Sequence, residues 1–99
     1  MEDEEEGVEI TKDKIWCIYT GDVIYRCWHN KKGQPHRLTG PAVIYNDGDM
    51  TWFRHGKYHR DDGPARIWPS TGLEEWYKDD VRYEPSAHDL ILWKMKKKE

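Results

Sequence analysis

The stretch HRLTGPAVIYNDGDMTWFRHGKY, residues 36–58, returns as HRDDGPARIWPSTGLEEWYKDDVRY at residues 59–83. Both copies carry a His-Arg pair, a Gly-Pro-Ala turn, an isoleucine and, after a second glycine, an aromatic pair. Equivalent residues are 23 positions apart as far as Ile67 and 24 apart beyond it, because the second copy has one inserted residue. This period predicts two units that stack on each other, since one such unit is too small to close its own core.

Turn residues predict that each unit is a β-hairpin. Asp47-Gly48 suits a tight hairpin tip, because Asp and Gly tolerate the positive φ angles of that turn. Ser70-Thr71-Gly72 is its longer counterpart in the second unit. His55-Gly56 predicts a further turn that leads the chain into the next Gly-Pro-Ala segment, where a small alanine lets neighbouring units approach closely.

Both ends of the repeat are predicted to be capped. Residues 15–35 have the features of a degenerate unit, with a hairpin around Gly21-Asp22 and with Tyr25 four residues after Gly21, as Trp52 follows Gly48. At the other end we predict a helix over residues 86–97 that shields the open sheet edge. Its N-cap is Ser86, and the residues expected to pack on the last hairpin are Leu90, Ile91 and Trp93.

The predicted fold is therefore mainly β, with consecutive antiparallel hairpins that form a short repeat sheet or solenoid and a C-terminal α-helix as cap. A chain of 99 residues has room for one domain. We predict a disordered acidic tail at residues 1–10 and a single repeat domain at residues 11–99, made of units 15–35, 36–58 and 59–83 and the helix.

Charge and composition limit the classes of function. The formal net charge is −3, and six acidic residues lie in positions 1–9, so the remainder carries about +3. That mild value does not indicate a dedicated DNA-binding protein. No apolar run approaches the roughly 20 residues that span a bilayer, and the acidic start is unlike a signal peptide. We expect no membrane segment, a cytoplasmic location, and Cys17 and Cys27 as reduced core residues.

The pattern His-Arg-x-x-Gly-Pro-Ala-x-Ile, then Gly, an aromatic residue four positions later and Gly-x-x-His-Arg, closely resembles the MORN-like hairpin repeats of phage and giant DNA virus proteins. The resemblance covers residues 28–83, and HRDDGPARIW is the best match. Thr39 departs from it by lacking an acidic side chain, and Asp79-Asp80 replaces the expected Asn-Gly or His-Gly turn, which predicts a looser turn. The resemblance implies an architecture and a viral origin, and it implies no activity.

The pairs His36-Arg37 and His59-Arg60 are the polar groups with the most evident chemical potential, for catalysis or for phosphate binding. Because they recur at the repeat spacing, a structural role in the repeat is the better interpretation. The chain has no Cys-x-x-Cys spacing and no nucleophile, phosphate-loop or dinucleotide motif, and its His55-x-x-x-His59 spacing spans the turn predicted at His55-Gly56. We therefore expect no catalytic residues, no metal and no cofactor.

The recurring aromatic residues predict a binding surface, because a chain this small cannot bury all of them. Function is expected where the units differ, and the candidate partner-binding residues are Phe53, Arg54, Arg66, Trp68 and Tyr77. The preferred hypothesis is a non-enzymatic protein-binding module, a phage-encoded inhibitor that sterically blocks a host defence or regulatory protein. The alternatives are nucleic-acid or nucleotide binding through aromatic stacking and Arg/Lys contacts, and self-assembly into a homo-oligomer.

Overall fold

A computed structural model describes residues 6–10 and 24–97, with the side chains of residues 24 and 25 excepted, and confirms the mainly β fold class. The described strands are β1 (Val8–Glu9), β2 (Ile24–His29), β3 (Val43–Tyr45), β4 (Met50–Thr51), β5 (Phe53–Arg54), β6 (Lys57–Tyr58), β7 (Arg66–Trp68), β8 (Leu73–Glu75), β9 (Tyr77–Lys78) and β10 (Val81–Arg82). They are followed by the helix α1 (Ala87–Lys97).

The strands form two rows of antiparallel hairpins. One row is a six-stranded sheet in the order β1-β2-β3-β4-β7-β8, and the other consists of the two-stranded ribbons β5-β6 and β9-β10. Each unit thus gives one hairpin to the sheet and a shorter ribbon to the second row. The ribbons are joined where the backbone N–H of Asp80 donates to the carbonyl of Tyr58 at 2.9 Å. The arrangement is the short hairpin solenoid that the repeat predicts.

The two-residue turns of the ribbons adopt one conformation in both units. His55 and Gly56 have φ angles of 52° and 80°, and Asp79 and Asp80 have 48° and 69°. Positive φ at both central positions defines the type I′ turn, whose twist matches that of the flanking strands, and Asp tolerates it better than most residues. The looser turn expected at Asp79-Asp80 is therefore wrong.

Trp28 and Trp52 occupy equivalent places in the hydrogen-bond pattern. The backbone N–H of Trp28 donates to the carbonyl of Ala42 at 2.8 Å, and that of Trp52 donates to Ala65 at 2.7 Å. The counterpart of Trp52 in the degenerate unit is therefore Trp28, and its predicted alignment with Tyr25 is wrong. The number of residues between a glycine and the next aromatic residue does not by itself show which strand position faces the next unit.

Residues 6–10 belong to the sheet. β1 pairs with β2, with Val8 opposite His29, and the Arg26 guanidinium donates to the Glu9 carboxylate at 2.7 Å. The disordered tail predicted for residues 1–10 is thus wrong for its second half. Residues 1–5, Cys17 and the hairpin predicted around Gly21-Asp22 lie outside the described residues.

The apolar core lies between the sheet and the ribbon of the first unit. Its buried members are Cys27, Ala42, Val43 and Phe53, and Ile10, Tyr45 and Tyr58 pack against them. The alanines of both Gly-Pro-Ala turns, Ala42 and Ala65, have no exposed surface. A larger side chain at either place would separate the strands it lies between, which is why the repeat requires a small residue there.

The helix α1 begins with a reciprocal capping box. The Ser86 hydroxyl accepts a hydrogen bond from the backbone N–H of Asp89 at 3.1 Å, and the Asp89 carboxylate accepts one from the backbone N–H of Ser86 at 3.0 Å. These bonds lower the pKa of Asp89 below its ordinary value. The predicted N-cap is confirmed.

Trp93 attaches the helix to the second unit. It is only 8% exposed, its ring meets Trp76 edge-on with centroids 6.5 Å apart, and its Nε1 donates to the Glu74 carboxylate at 3.2 Å. Leu90 and Ile91 are 37% and 57% exposed. The predicted packing is confirmed for Trp93 and wrong for Leu90 and Ile91, because the helix turns those two side chains away from the sheet.

Replacement of Trp93 by Ala is expected to destabilise the protein by about 3 kcal/mol, since it removes a large buried ring and leaves a cavity. Ile91→Ala on the same helix is the matched control and should change the free energy of unfolding by less than about 0.5 kcal/mol. Urea unfolding followed by tryptophan fluorescence and circular dichroism measures both. Equal losses for the two variants would contradict the role given to Trp93.

The capping box also predicts a pH dependence. Because the pKa of Asp89 is lower in the folded than in the unfolded chain, its contribution to stability is present above the ordinary Asp range and is lost as the pH falls through the lowered value. Asp89→Asn should therefore flatten the acid side of the curve of urea midpoint against pH. If the wild-type and Asp89→Asn curves have the same slope at acid pH, the stabilising role given to Asp89 is contradicted.

Candidate functional site

The repeat histidines serve the fold. His36 Nδ1 accepts a hydrogen bond from the backbone N–H of His55 at 2.8 Å, and His59 Nδ1 accepts one from that of Asp79 at 3.1 Å. His55 and Asp79 are the equivalent first residues of the two type I′ turns. Each histidine therefore fixes the turn that ends its own unit, and His36 does so from a fully buried position.

The repeat arginines join successive units. Each guanidinium stacks on the tryptophan of the preceding unit and also donates to the proline carbonyl of its own Gly-Pro-Ala turn. The stacked pairs are Arg37 on Trp28 at 3.8 Å and Arg60 on Trp52 at 3.9 Å, and the acceptors are Pro41 at 3.3 Å and Pro64 at 3.1 Å. These contacts confirm the structural interpretation of the His-Arg pairs.

Arg60 is enclosed more fully than Arg37. Trp93 of α1 lies 4.8 Å from its guanidinium carbon, and the Arg60 Nε donates to Asp62 at 2.9 Å, while Lys96 donates to the other Asp62 oxygen at 2.7 Å. Burial lowers the pKa of Arg60 from its ordinary value. Burial alone would raise the pKa of Asp62, but the hydrogen bonds from Lys96 and Arg60 outweigh it and lower that pKa.

A groove of about 460 Å³, which we call the inter-repeat groove, separates the two Gly-Pro-Ala loops. Its charged lining consists of the cations Arg37, Arg54, Arg60 and Lys96 and the acids Asp61 and Asp62, with Trp52 and Thr39 beside them. Asp61 contacts Arg54 at 3.3 Å and His59 at 2.9 Å. The half of the groove formed by the second unit is therefore neutralised by acids of its own loop.

The first unit obtains its acid from the N-terminal segment. Thr39 stands where the second unit has Asp62, and the Glu6 carboxylate accepts hydrogen bonds from the Thr39 hydroxyl at 2.7 Å and from its backbone N–H at 3.2 Å. Burial would raise the pKa of Glu6, but these bonds and the charge of Arg37 lower it overall.

A second cluster, which we call the aromatic–arginine face, continues the cross-strand row of Val43 and Thr51 and consists of Tyr58, Arg66, Trp68, Glu75, Tyr77 and Arg82. The Arg66 guanidinium carbon lies 4.6 Å from the centre of the Trp68 ring and 5.0 Å from that of Tyr58. The Glu75 carboxylate accepts a hydrogen bond from the Tyr77 hydroxyl at 3.1 Å and lies 3.6 Å from both Arg66 and Arg82. Half-buried rings thus surround an arginine held by a carboxylate.

The structure brings together three of the five residues predicted to bind a partner: Arg66, Trp68 and Tyr77. Arg54 lies apart from them, in the inter-repeat groove. Phe53 is 6% exposed and belongs to the core, so its prediction as a contact residue is wrong. It is the first-unit equivalent of Tyr77, and its lack of a hydroxyl suits the drier position between the sheet and the first ribbon.

Sequence reasoning missed Tyr58, Glu75 and Arg82. Their signal is strand register, because Arg66 pairs with Glu75 across β7 and β8, and Arg82 pairs with Tyr77 across β9 and β10. Residues directly opposite on antiparallel strands share a face of the sheet. Counting cross-strand pairs outward from the predicted hairpin tips would have identified Glu75 and Arg82 as members of the aromatic–arginine face.

The two units differ in charge and in burial at this face. In the first unit the cross-strand pair equivalent to Arg66 and Glu75 is Val43 and Thr51, and both of those are buried. In the second unit the side chains of Arg66 and Glu75 are 27% and 16% exposed. The same backbone therefore carries an apolar, closed pair in one unit and a charged, partly open pair in the other.

Among residues 6–10 and 24–97, no group of three or more His, Cys, Asp or Glu side chains has a geometry that would hold a metal ion. No helix in the same part of the chain is long and apolar enough to span a membrane. Comparisons with protein families, with curated proteins and with solved structures found no match to this chain.

The histidine contacts predict the outcome of substituting His36. His36→Leu removes the acceptor and leaves the backbone N–H of His55 without that bond, which costs about 1 to 3 kcal/mol. His36→Asn is also smaller than His, but its side-chain oxygen can take the place of Nδ1. Thermal and urea unfolding should show the Asn variant to be the more stable. The reverse order would contradict a structural role for the ring nitrogen.

Proposed function

We propose that this chain is a non-enzymatic protein-binding module that engages its partner through the aromatic–arginine face. The observation that supports this is the replacement of the buried Val43–Thr51 pair by the charged Arg66–Glu75 pair on the same backbone. The first unit folds without these charges, so the repeat does not require them. Their presence beside half-buried rings is what a recognition surface needs.

The composition of the face suits a protein interface. Trp, Tyr and Arg are the residues that most often dominate binding energy, because they offer large contact areas and directed hydrogen bonds. Glu75 holds the Arg66 guanidinium in place beforehand, which reduces the entropy lost on binding. Arg66 Nε is buried and has no hydrogen-bond partner among the described residues. That arrangement is unfavourable for stability alone, so a second role for Arg66 accounts for it better.

The mechanism we propose is steric occupancy of a surface on the partner. The viral resemblance of the repeat makes a host defence or regulatory protein the preferred partner, met in the cytoplasm of the host cell. The histidines and arginines best suited to catalysis are engaged in the contacts that hold the units together. The proposed binding therefore depends on the shape of the aromatic–arginine face and on a few side chains that anchor the partner.

The double variant Arg66→Val/Glu75→Thr restores the pair of the first unit and tests the proposal. We expect it to be at least as stable as the wild type, because replacing a partly buried ion pair by neutral residues is often neutral or stabilising. It should nevertheless fail to retain the partner in affinity purification from a bacterial lysate followed by mass spectrometry. Trp68→Ala should weaken the same complex by about 2 kcal/mol.

Lys94→Ala, an exposed change on α1, is the control that should bind as the wild type does. Circular dichroism and urea unfolding establish that every variant is folded. A partner retained equally by the wild type and by the double variant would rule out the aromatic–arginine face.

Nucleic-acid binding, the first alternative, would rely on the cations of the inter-repeat groove. Two acids line that groove and neutralise half of it, which weakens attraction for a polyanion. Mobility shift of a labelled single strand at several salt concentrations separates the two functions. A binding constant that falls steeply with salt would favour nucleic acid.

Self-assembly, the second alternative, has one observation in its favour. The outer side of α1 exposes Ile91, Leu92 and Met95, which are 57%, 51% and 61% accessible. Light scattering at two protein concentrations, with Ile91→Lys as comparison, tests this. A mass that rises with concentration in the wild type alone would favour a homo-oligomer.

A further inference from the structure

The two Gly-Pro-Ala loops obtain the acid beside their arginine in different ways. In the second unit Asp62, two residues after Arg60, supplies it from the same loop at 2.9 Å. In the first unit Thr39 takes the place of Asp62, and Glu6 supplies the carboxylate from a strand-flanking segment far away in sequence. The first loop is therefore a carboxylate-binding site whose occupant is not part of the loop.

The donors of this site converge on one oxygen. The hydroxyl and the backbone N–H of Thr39 both donate to Glu6 Oε1, at 2.7 and 3.2 Å, and Arg37 adds a positive charge. The segment approaches closely because residue 7 is glycine with a φ of 103°, and a Cβ there would overlap the carbonyl oxygen of His36. The same donors would bind any carboxylate that reaches them.

Glu6 fills the site incompletely. Its carboxylate lies 3.7 Å from Arg37 Nε, beyond hydrogen-bond range, whereas Asp62 lies 2.9 Å from Arg60 Nε. Arg37 Nε consequently has no hydrogen-bond partner among the residues that the structure describes, although it is buried. The Glu6 side chain is also 46% exposed, so leaving the site requires little change in its surroundings. A carboxylate placed a little deeper would satisfy a donor that Glu6 leaves unmet.

We propose that the loop Arg37–Gly40 binds a carboxylate from an acidic segment of a second protein, and that Glu6 occupies this site within the chain until the segment displaces it. The site opens into the inter-repeat groove, which gives such a segment a path past Trp52 and Arg54. It shares no residue with the aromatic–arginine face. The two proposals therefore fail independently.

A peptide carboxylate fits the site better than a nucleic-acid backbone does. Asp61 and Asp62 line the far side of the same groove, and they repel a run of phosphates while leaving room for a single carboxylate at the loop. The chain as a whole carries a net charge of −3, which also disfavours long polyanions.

The test is fluorescence anisotropy with the full chain and a labelled hexapeptide that carries one glutamate among neutral residues. Glu6→Ala empties the site, and we expect it to bind the peptide roughly tenfold more tightly than the wild type, because an internal competitor reduces the fraction of competent molecules. Glu84→Ala removes the same charge from an exposed position elsewhere and should bind as the wild type does. Equal affinity of Glu6→Ala and Glu84→Ala would overturn the proposal.

Two further variants in the Glu6→Ala background identify the donors. Thr39→Asp restores to the first loop the acid of the second, so Arg37 becomes paired within its own loop and peptide binding should be lost while the melting temperature is kept. Thr39→Val removes the hydroxyl donor and should weaken binding on the order of tenfold. Undiminished binding by the folded Thr39→Asp variant would overturn the proposal, as would tighter binding of a labelled thymidine dinucleotide, whose one phosphodiester carries the same single charge.

Discussion

The stack of an arginine on the tryptophan of the preceding unit is the contact on which the rest of this solenoid depends. Arg37 covers Trp28 and Arg60 covers Trp52, each within 4 Å of the ring centre. The same guanidinium donates to the proline carbonyl of its own loop, so one side chain sets both the spacing between units and the shape of the turn. The adjoining histidine then fixes the next turn from a position that this stack defines.

A fold held in this way separates residues that maintain the repeat from residues that are free to vary. The two repeat histidines and Arg60 are engaged in contacts that hold the repeat together, whereas Arg37 keeps one buried N–H without a hydrogen-bond partner among the described residues. The cross-strand pair that begins directly after each Gly-Pro-Ala turn does not hold the units together in this way. It is Val43 with Thr51 in the first unit and Arg66 with Glu75 in the second. The aromatic–arginine face that we propose as the partner-binding surface therefore lies on strands, at positions that the repeat leaves free to vary.

The sequence predicts the hairpins, the turns and the helix well, because these follow from local residue preferences at Gly48, Gly72 and Ser86. It predicts three residues of the aromatic–arginine face, since the difference between units points to them. Prediction from the sequence fails where segments that are distant along the chain come into contact. The docking of Glu6 at Thr39 joins residues 33 positions apart, and the burial of Trp93 instead of Leu90 depends on the rotation of the helix about its own axis, which a short apolar run does not determine.

The helix α1 also covers the last tryptophan of the stacked series. Trp76 is the next tryptophan in the series, but Glu84 stands where its arginine would be, and the rings of Trp93 and Tyr83 meet Trp76 edge-on instead. Contacts in such an array run only between neighbours. The stacked series therefore stops where α1 covers Trp76, and duplication of one internal unit would lengthen the protein without creating a new kind of interface.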